Sequence, residues 1–244
     1  MSTLYASGLF QTRGARGDTS VPHQAAKLTA SAIVTAAIDV ADRDGLDALS
    51  MRRLADELGV GAMSLYRHVA DKEALLAGMA AEVGRRYPYP VHELPDWRTR
   101  VDIAVRIDWD LYRRHPWVVL AYSAPRYSFG VVALEGLDWL AAGFTQLGVG
   151  VSRAVEMTLT LWAFVNGAAL AAVSEELLHA DSPGTHPGGL ADLITGRLDA
   201  DLTHLPTLST LFGDSAAAGL VDPQAALATG VDILCAGFSA CAPR

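Results

Sequence analysis

The chain has 244 residues, 51% of them apolar and 19% charged, with a formal net charge of -8 at pH 7. This is enough to bury a sizeable core as one small and one larger domain, and it excludes a binder that holds nucleic acid by a uniformly basic surface. The deficit is unevenly placed: residues 1–86 carry ten Lys/Arg and ten Asp/Glu, and the remaining nine against seventeen account for all of it, an acidic body behind a neutral head.

Residues 1–27 have no helical period and carry Gly8, Gly14, Gly17 and Pro22 among small and polar residues. They read as a flexible arm, either a tail with no role or one whose Arg13 and Arg16 reach a narrow minor groove. A first helix is predicted from Thr29, with Ile33, Ala36, Ala37, Val40 and Ala41 inward and Asp44-Gly45 at its end. From Ser50 to Leu76 the pattern is two short helices and the start of another. Ser50 is a good N-cap, and Met51, Leu54, Ala55 and Leu58 form a buried stripe, with Arg52, Arg53, Asp56 and Glu57 outward. Gly59 suits a left-handed helix end, Val60 turns back to the core, and Gly61 permits an immediate restart. In the second short helix, Ala62 to His68, Leu65 and Val69 point inward. Met63, Ser64, Tyr66, Arg67 and His68 are left for the other face, a mixture suited to phosphates and base edges in a major groove. A Gly-centred turn by itself also suits any small three-helix domain.

The match extends past the turn. Leu65-Tyr66, His68-Val69 and the following Asp71-Lys72-Glu73-Ala74-Leu75-Leu76 closely resemble the DNA-binding region of the tetracycline-repressor family, over about Leu28 to Arg86. The resemblance implies DNA-contacting roles for Ser50, Arg52, Met63, Ser64, Tyr66, His68 and Lys72. Ser50 stands where the family often has Thr, and Ala62-Met63 offers few hydrogen bonds, so readout there is expected to be largely apolar.

A fourth helix, from about Asp71 to Tyr87, ends before Pro88-Tyr89-Pro90 and is the only covalent bridge to a second domain. That domain shows three- and four-residue stripes and no sustained alternation, so it is predicted to be wholly helical. Helices are placed at Trp97 to His115, Pro116 to Tyr122, Phe129 to Leu147, Ser152 to Ala180, weakly at Gly189 to Leu198, and Asp222 to Ala242, with residues 181–189 a loop. The order resembles the ligand-binding and dimerisation domain of the same family.

The last helix is apolar nearly all round, with Ala226, Gly230, Ala236, Gly237 and Ala240 beside Leu227, Val231, Leu234 and Phe238. It is either a central core helix or, with the Ser152 to Ala180 helix, half of a two-fold four-helix bundle. Asp108 and Asn166 lie on apolar stripes. Leaving such groups without partners costs about 1 to 3 kcal/mol each, so they are either satisfied within the core or face a cavity. With Trp109, Tyr112, Trp117, Trp139 and Trp162 they form the candidate ligand-binding set, suited to an amphipathic molecule with a cationic or hydrogen-donating group.

Cys235 and Cys241 read as small core residues, and the dispersed His115, His179, His186 and His204 do not read as a metal set. The apolar run from Leu159 to Val173 is short for a membrane span and is interrupted by Asn166 and Gly167. No charged-then-apolar leader is present, so a cytoplasmic location is expected. No cofactor motif, phosphate loop or spaced nucleophile and base is found.

The expectation is therefore an all-α protein: an arm (1–27), a three-helix helix-turn-helix domain (28–87) and a larger helical ligand-binding and dimerisation domain (91–244). Its expected function is that of a homodimeric repressor of double-stranded, palindromic operator DNA, released by a small molecule, with no catalytic role. The alternative is a helical small-molecule-binding protein or enzyme with no DNA-binding role.

Overall fold

The computed structural model describes residues 28–124, 130–177, 190, 194, 204–211 and 215–243. The predicted arm, the loop over residues 181–189 and all but Leu190 and Ile194 of the weak helix lie outside the described residues, as do His179 and His186.

Every described regular element is helical. The first, α1 (Ala30–Asp44), starts where Thr29 Oγ1 accepts the amide of Ala32 at 3.1 Å, and stops at Gly45 with φ of 80°. It buries Ile33, Ala37, Ile38, Val40 and Ala41. In α2 (Met51–Glu57) the Ser50 hydroxyl accepts the Arg53 amide at 3.2 Å, and Leu54 and Ala55 are buried. Gly59 takes φ of 64°, the left-handed conformation the sequence predicts, and the Val60 amide returns to the Ala55 carbonyl at 3.0 Å. Then α3 (Ala62–Tyr66) begins. It is two residues shorter than predicted because Arg67 and His68 form a turn, but Leu65 and Val69 are both buried. Asp71 caps α4 (Lys72–Arg86), accepting the Ala74 amide at 2.7 Å; Leu75, Met79, Ala80 and Val83 face inward.

The second domain contains α5 (Trp97–Arg114), α6 (Val118–Ser123), α7 (Val131–Phe144), α8 (Val151–Leu177) and α9 (Pro223–Ala240). Each lies within the span the sequence predicts, except that α6 ends one residue later, at Ser123, and α8 begins one residue earlier. The start of α6 is delayed past Pro116 by a turn in which the Val118 amide donates to the His115 carbonyl. Short 3-10 turns at Leu208–Leu211 and Ser215–Val221 precede α9, whose first residue is Pro223, after the Asp222 cap.

The hub is α8, packed against α5, α6, α7 and α9. Its inner stripe of Ala154, Met157, Leu161, Val165, Ala169 and Val173 is buried. By length and composition alone α8 is apolar enough to cross a membrane, but it also carries an outward stripe at helical spacing: Leu159, Thr160, Ala163, Gly167, Leu170 and Ala171. On α9, Ala226, Thr229, Ile233, Gly237 and Ala240 are likewise exposed. A Cβ added at Gly167 or Gly237 would meet nothing within 4 Å. Between the two helices the packing is close, since a Cβ at Gly230 would fall 2.0 Å from the Phe164 ring. Helix α9 is thus buried on one face and bare on the other, not a central core helix. Cys235 is buried as predicted, whereas Cys241 is exposed because α9 has already ended there.

Candidate nucleic-acid interface and effector site

The outward face of α3 presents Met63, 77% exposed, and Tyr66, 45% exposed, with Arg67 and His68 exposed in the turn that follows. Arg67 Nη2 donates to the half-buried Ser64 hydroxyl at 3.1 Å, which fixes the guanidinium along the helix edge. Ser50 sits at the head of α2, its oxygen engaged in capping. The two arginines at the start of α2 differ. Arg53 is tied to Asp44 at 2.6 Å, whereas Arg52 and Lys72 are exposed and make no ion pair among the described residues. Ser50, Arg52, Met63, Ser64, Tyr66, Arg67, His68 and Lys72 are therefore carried by three consecutive helix starts and the turn after α3. The buried Leu54, Leu65 and Leu75 hold these elements on one core. Arg13 and Arg16 lie outside the described residues.

In the second domain the candidates separate into groups. Asp108 on α5 accepts a hydrogen bond from the Tyr89 hydroxyl at 2.8 Å, and that hydroxyl in turn accepts from the Trp162 indole N–H at 2.9 Å. The Tyr89 ring lies 5.6 Å from that of Trp139, whose own indole donates to the Glu93 carbonyl at 2.7 Å. Asn166 is satisfied by the Val119 carbonyl at 3.2 Å, the Tyr112 hydroxyl at 3.4 Å and the Ser123 hydroxyl at 3.2 Å. Both polar candidates therefore have protein partners, Asp108 in the connector at Tyr89 and Asn166 within the second domain. Trp109 has none: its buried indole nitrogen is the single buried side-chain polar atom among the described residues that lacks a hydrogen bond.

Trp117 stands apart from the other candidates. Its indole donates 2.8 Å across the domain boundary to Asp42 on α1. His115 Nδ1 lies 2.8 and 2.9 Å from the two oxygens of the same carboxylate, and Arg114 donates to it at 3.2 Å. With three donors converging, Asp42 is the acceptor and the histidine hydrogen sits on Nδ1. Tyr87, at the end of α4, meets the His115 ring edge to face at 5.7 Å. The domains are thus joined by a polar latch as well as by the chain. The sequence reading missed Asp42, Tyr89 and the buried Arg100, which donates to the Trp139 carbonyl at 2.6 Å and to Pro95 at 3.0 Å and lies over the Trp139 ring. Two open grooves also mark the surface. One, of about 390 Å³, lies between α7 and the start of α8; the other, of about 210 Å³, is lined by Val91, Leu94, Arg100 and Trp139. Among the described residues no three His, Cys, Asp or Glu converge as a metal set.

Burial raises the Asp108 carboxyl to about 7, with the Tyr89 hydrogen bond opposing. Burial first, then the nearby Asp108 charge, holds Tyr89 well above the ordinary phenol value, so it remains a donor. The same causes push Tyr122 up to about 12. An unfolded Asp ionises near pH 4, so the folded chain keeps a proton that the unfolded chain has lost. Stability should therefore fall as pH rises from about 4 to about 7 and then level. Asp108→Asn should remove this slope and stabilise the protein at pH 8 by about 1–3 kcal/mol, discounted for the part of Asp108 open to solvent, with little change near pH 4. Thermal melts of the two proteins that run parallel from pH 5 to 8 would contradict the assignment.

A family described as bacterial regulatory proteins, tetR family, matches residues 33–79, and one described as tetracyclin repressor-like, C-terminal domain, matches residues 89–241. The chain is 33% identical to an HTH-type transcriptional regulator of Saccharopolyspora erythraea over 217 residues, 88% of this chain and 86% of that protein. It is 38% identical to the HTH-type transcriptional repressor DrrR1 of Streptomyces coeruleorubidus over 144 residues, 58% of this chain and 53% of that one. Among solved structures, the Streptomyces coelicolor TetR family protein ActR in complex with actinorhodin superposes with a TM-score of 0.71 at 28% identity, over 90% of this chain and 99% of that one.

Proposed function

Starting from a chain that belongs to the TetR family of bacterial regulatory proteins, we propose that it is a homodimeric, ligand-responsive transcriptional repressor. It reads a palindromic operator through α3 and is released when an amphipathic small molecule enters the second domain. The observation that carries this reading is the exposed Met63-Tyr66-Arg67-His68 face between two exposed cations, Arg52 and Lys72, that make no ion pair among the described residues. That face suits a major groove: Met63 and Arg52 toward base edges, Tyr66 and Lys72 toward phosphates, Ser50, Ser64 and His68 at the margins. The bare stripes of α8 and α9 supply the second half of a four-helix bundle, and a two-fold axis sets the two readers one helical turn of DNA apart, about 34 Å. Such a protein acts where the chromosome is, in the cytoplasm, and the reading assigns it no catalysis. The relative ActR was solved with actinorhodin, which supports an effector for this chain without naming it.

Fluorescence anisotropy on DNA flanking the coding region tests the reader. Lys72→Ala should weaken all sequences alike and reduce the salt slope by about one unit, whereas Arg52→Ala should in addition relax sequence choice by about 1–3 kcal/mol. If both substitutions leave binding unchanged at physiological salt, the docking proposed here is wrong. The arm belongs to the same proposal. Deleting residues 1–18, with Arg13 and Arg16, should lower affinity mainly on operators flanked by A·T-rich DNA, and equal affinities for both proteins at low salt would remove the arm from the account.

A further inference from the structure

The segment joining the two domains runs from Tyr87 through Pro88-Tyr89-Pro90 to Asp96. Pro88, Pro90 and Pro95 lack an amide hydrogen, and the backbone bonds within the segment are two short turns, Val91 to Tyr89 and Glu93 to Pro90. What anchors it at Tyr89 is the side chain. The ring is inserted into the second domain beside Trp139, and its hydroxyl donates to Asp108 and accepts from Trp162. Gly136 on α7 makes room, for a Cβ there would lie 3.1 and 3.2 Å from the ring. The polar groups of this seat all belong to the second domain, one acceptor and one donor. Asp108 makes no ion pair among the described residues, and Tyr89 is its hydrogen-bond partner. A carboxyl kept inside for one phenol is costly if the seat serves only packing, and such groups cluster at binding sites.

Resting on the reading that the second domain takes a small-molecule effector, we infer that Tyr89 is a built-in occupant of the effector's seat. The effector class is then a hydroxylated aromatic compound, which displaces the Tyr89 ring, donates its own hydroxyl to Asp108 and accepts from the Trp162 indole. Displacement acts directly on the connector. Tyr87, two residues away, packs on His115, and His115 holds Asp42 of the DNA-reading domain. Expelling Tyr89 therefore pulls on the same latch that sets the reader's orientation, with no relay through the core needed.

The test uses p-cresol, which is the tyrosine side chain itself, and p-xylene, which has the same outline with a methyl in place of the hydroxyl. Both are titrated by calorimetry and thermal shift on the full chain without DNA, so failure here is separable from failure of the operator reading, which is scored only on DNA. Tyr89→Ala should bind p-cresol at least about tenfold tighter than p-xylene, and adding Asp108→Leu should erase that preference. Equal affinities for the two probes, or no binding to a folded Tyr89→Ala protein, overturn the inference. If Tyr89→Ala does not fold, Tyr89→Phe decides. Its ring has lost both hydrogen bonds, so p-cresol should bind about tenfold tighter than to the unsubstituted protein and increase amide exchange across residues 88–96. An unchanged affinity or unchanged exchange overturns it.

Discussion

Asp42→Ala is expected to cost about 2–4 kcal/mol of stability and to disconnect operator release from effector binding. The carboxylate is nearly enclosed, and removing it leaves the buried Trp117 indole and His115 Nδ1 without their acceptor, at about 1–3 kcal/mol each. Arg114 contributes little to this sum, because its side chain is 64% exposed. The two domains would remain joined through α4, which packs on α6 and α7, and through Tyr122, whose hydroxyl donates to the Ala80 carbonyl at 3.2 Å. Folding is therefore expected to survive while the reader's angle is no longer dictated. Calorimetry measures the first effect. The second appears as operator affinity that responds to effector by less than half the coupling seen in the unsubstituted protein, where coupling of about 1–3 kcal/mol is typical and must be the same in both directions. A full response in Asp42→Ala would mean that α4 alone carries the signal.

Gly167→Arg should have the largest effect on DNA binding of any change outside the reader. Gly167 lies at the middle of the bare α8 stripe, with open space where a Cβ would stand. An arginine there fits the isolated chain without strain, yet in a two-fold bundle it would meet its own copy, bringing two like charges into an apolar seam. The monomer should melt cooperatively and sediment as one chain. Losing the second reader should lower operator affinity by roughly 10²-fold or more, since linked half-sites gain by that order. Dimers of Gly167→Arg at micromolar concentration would place the interface elsewhere.

What could be read along the chain was whatever local spacing decides. Ser50 as a cap, Gly59 with positive φ, and Leu65 and Val69 as inward anchors follow from helix geometry over a few residues, and all stand in the structure as predicted. The apolar outer stripe of α9 was legible for the same reason. Partners were not. Tyr89, between two prolines, has the composition of a linker residue, and its bonds run 19 residues to Asp108 and 73 to Trp162. Asp42 reads as a solvated acid on α1, while its acceptor role is fixed by side chains 72 to 75 residues later. Residue type places Trp117 among the effector candidates, and only the packing of the turn before α6 against α1 shows that its indole faces the other domain. Asp108 and Asn166 were recognised as needing partners, but periodicity cannot distinguish a hydrogen-bonded core group from one lining a cavity.

The central claim is that α3 of each protomer in a dimer reads operator DNA, and an electrophoretic mobility shift with the duplex flanking the coding region tests it most directly. The expected result is a retarded complex of two protomers per duplex, at least about 10³-fold tighter than on a scrambled sequence at the same salt. Equal retention of flanking and scrambled DNA, or a complex of one protomer that saturates the duplex, would contradict it.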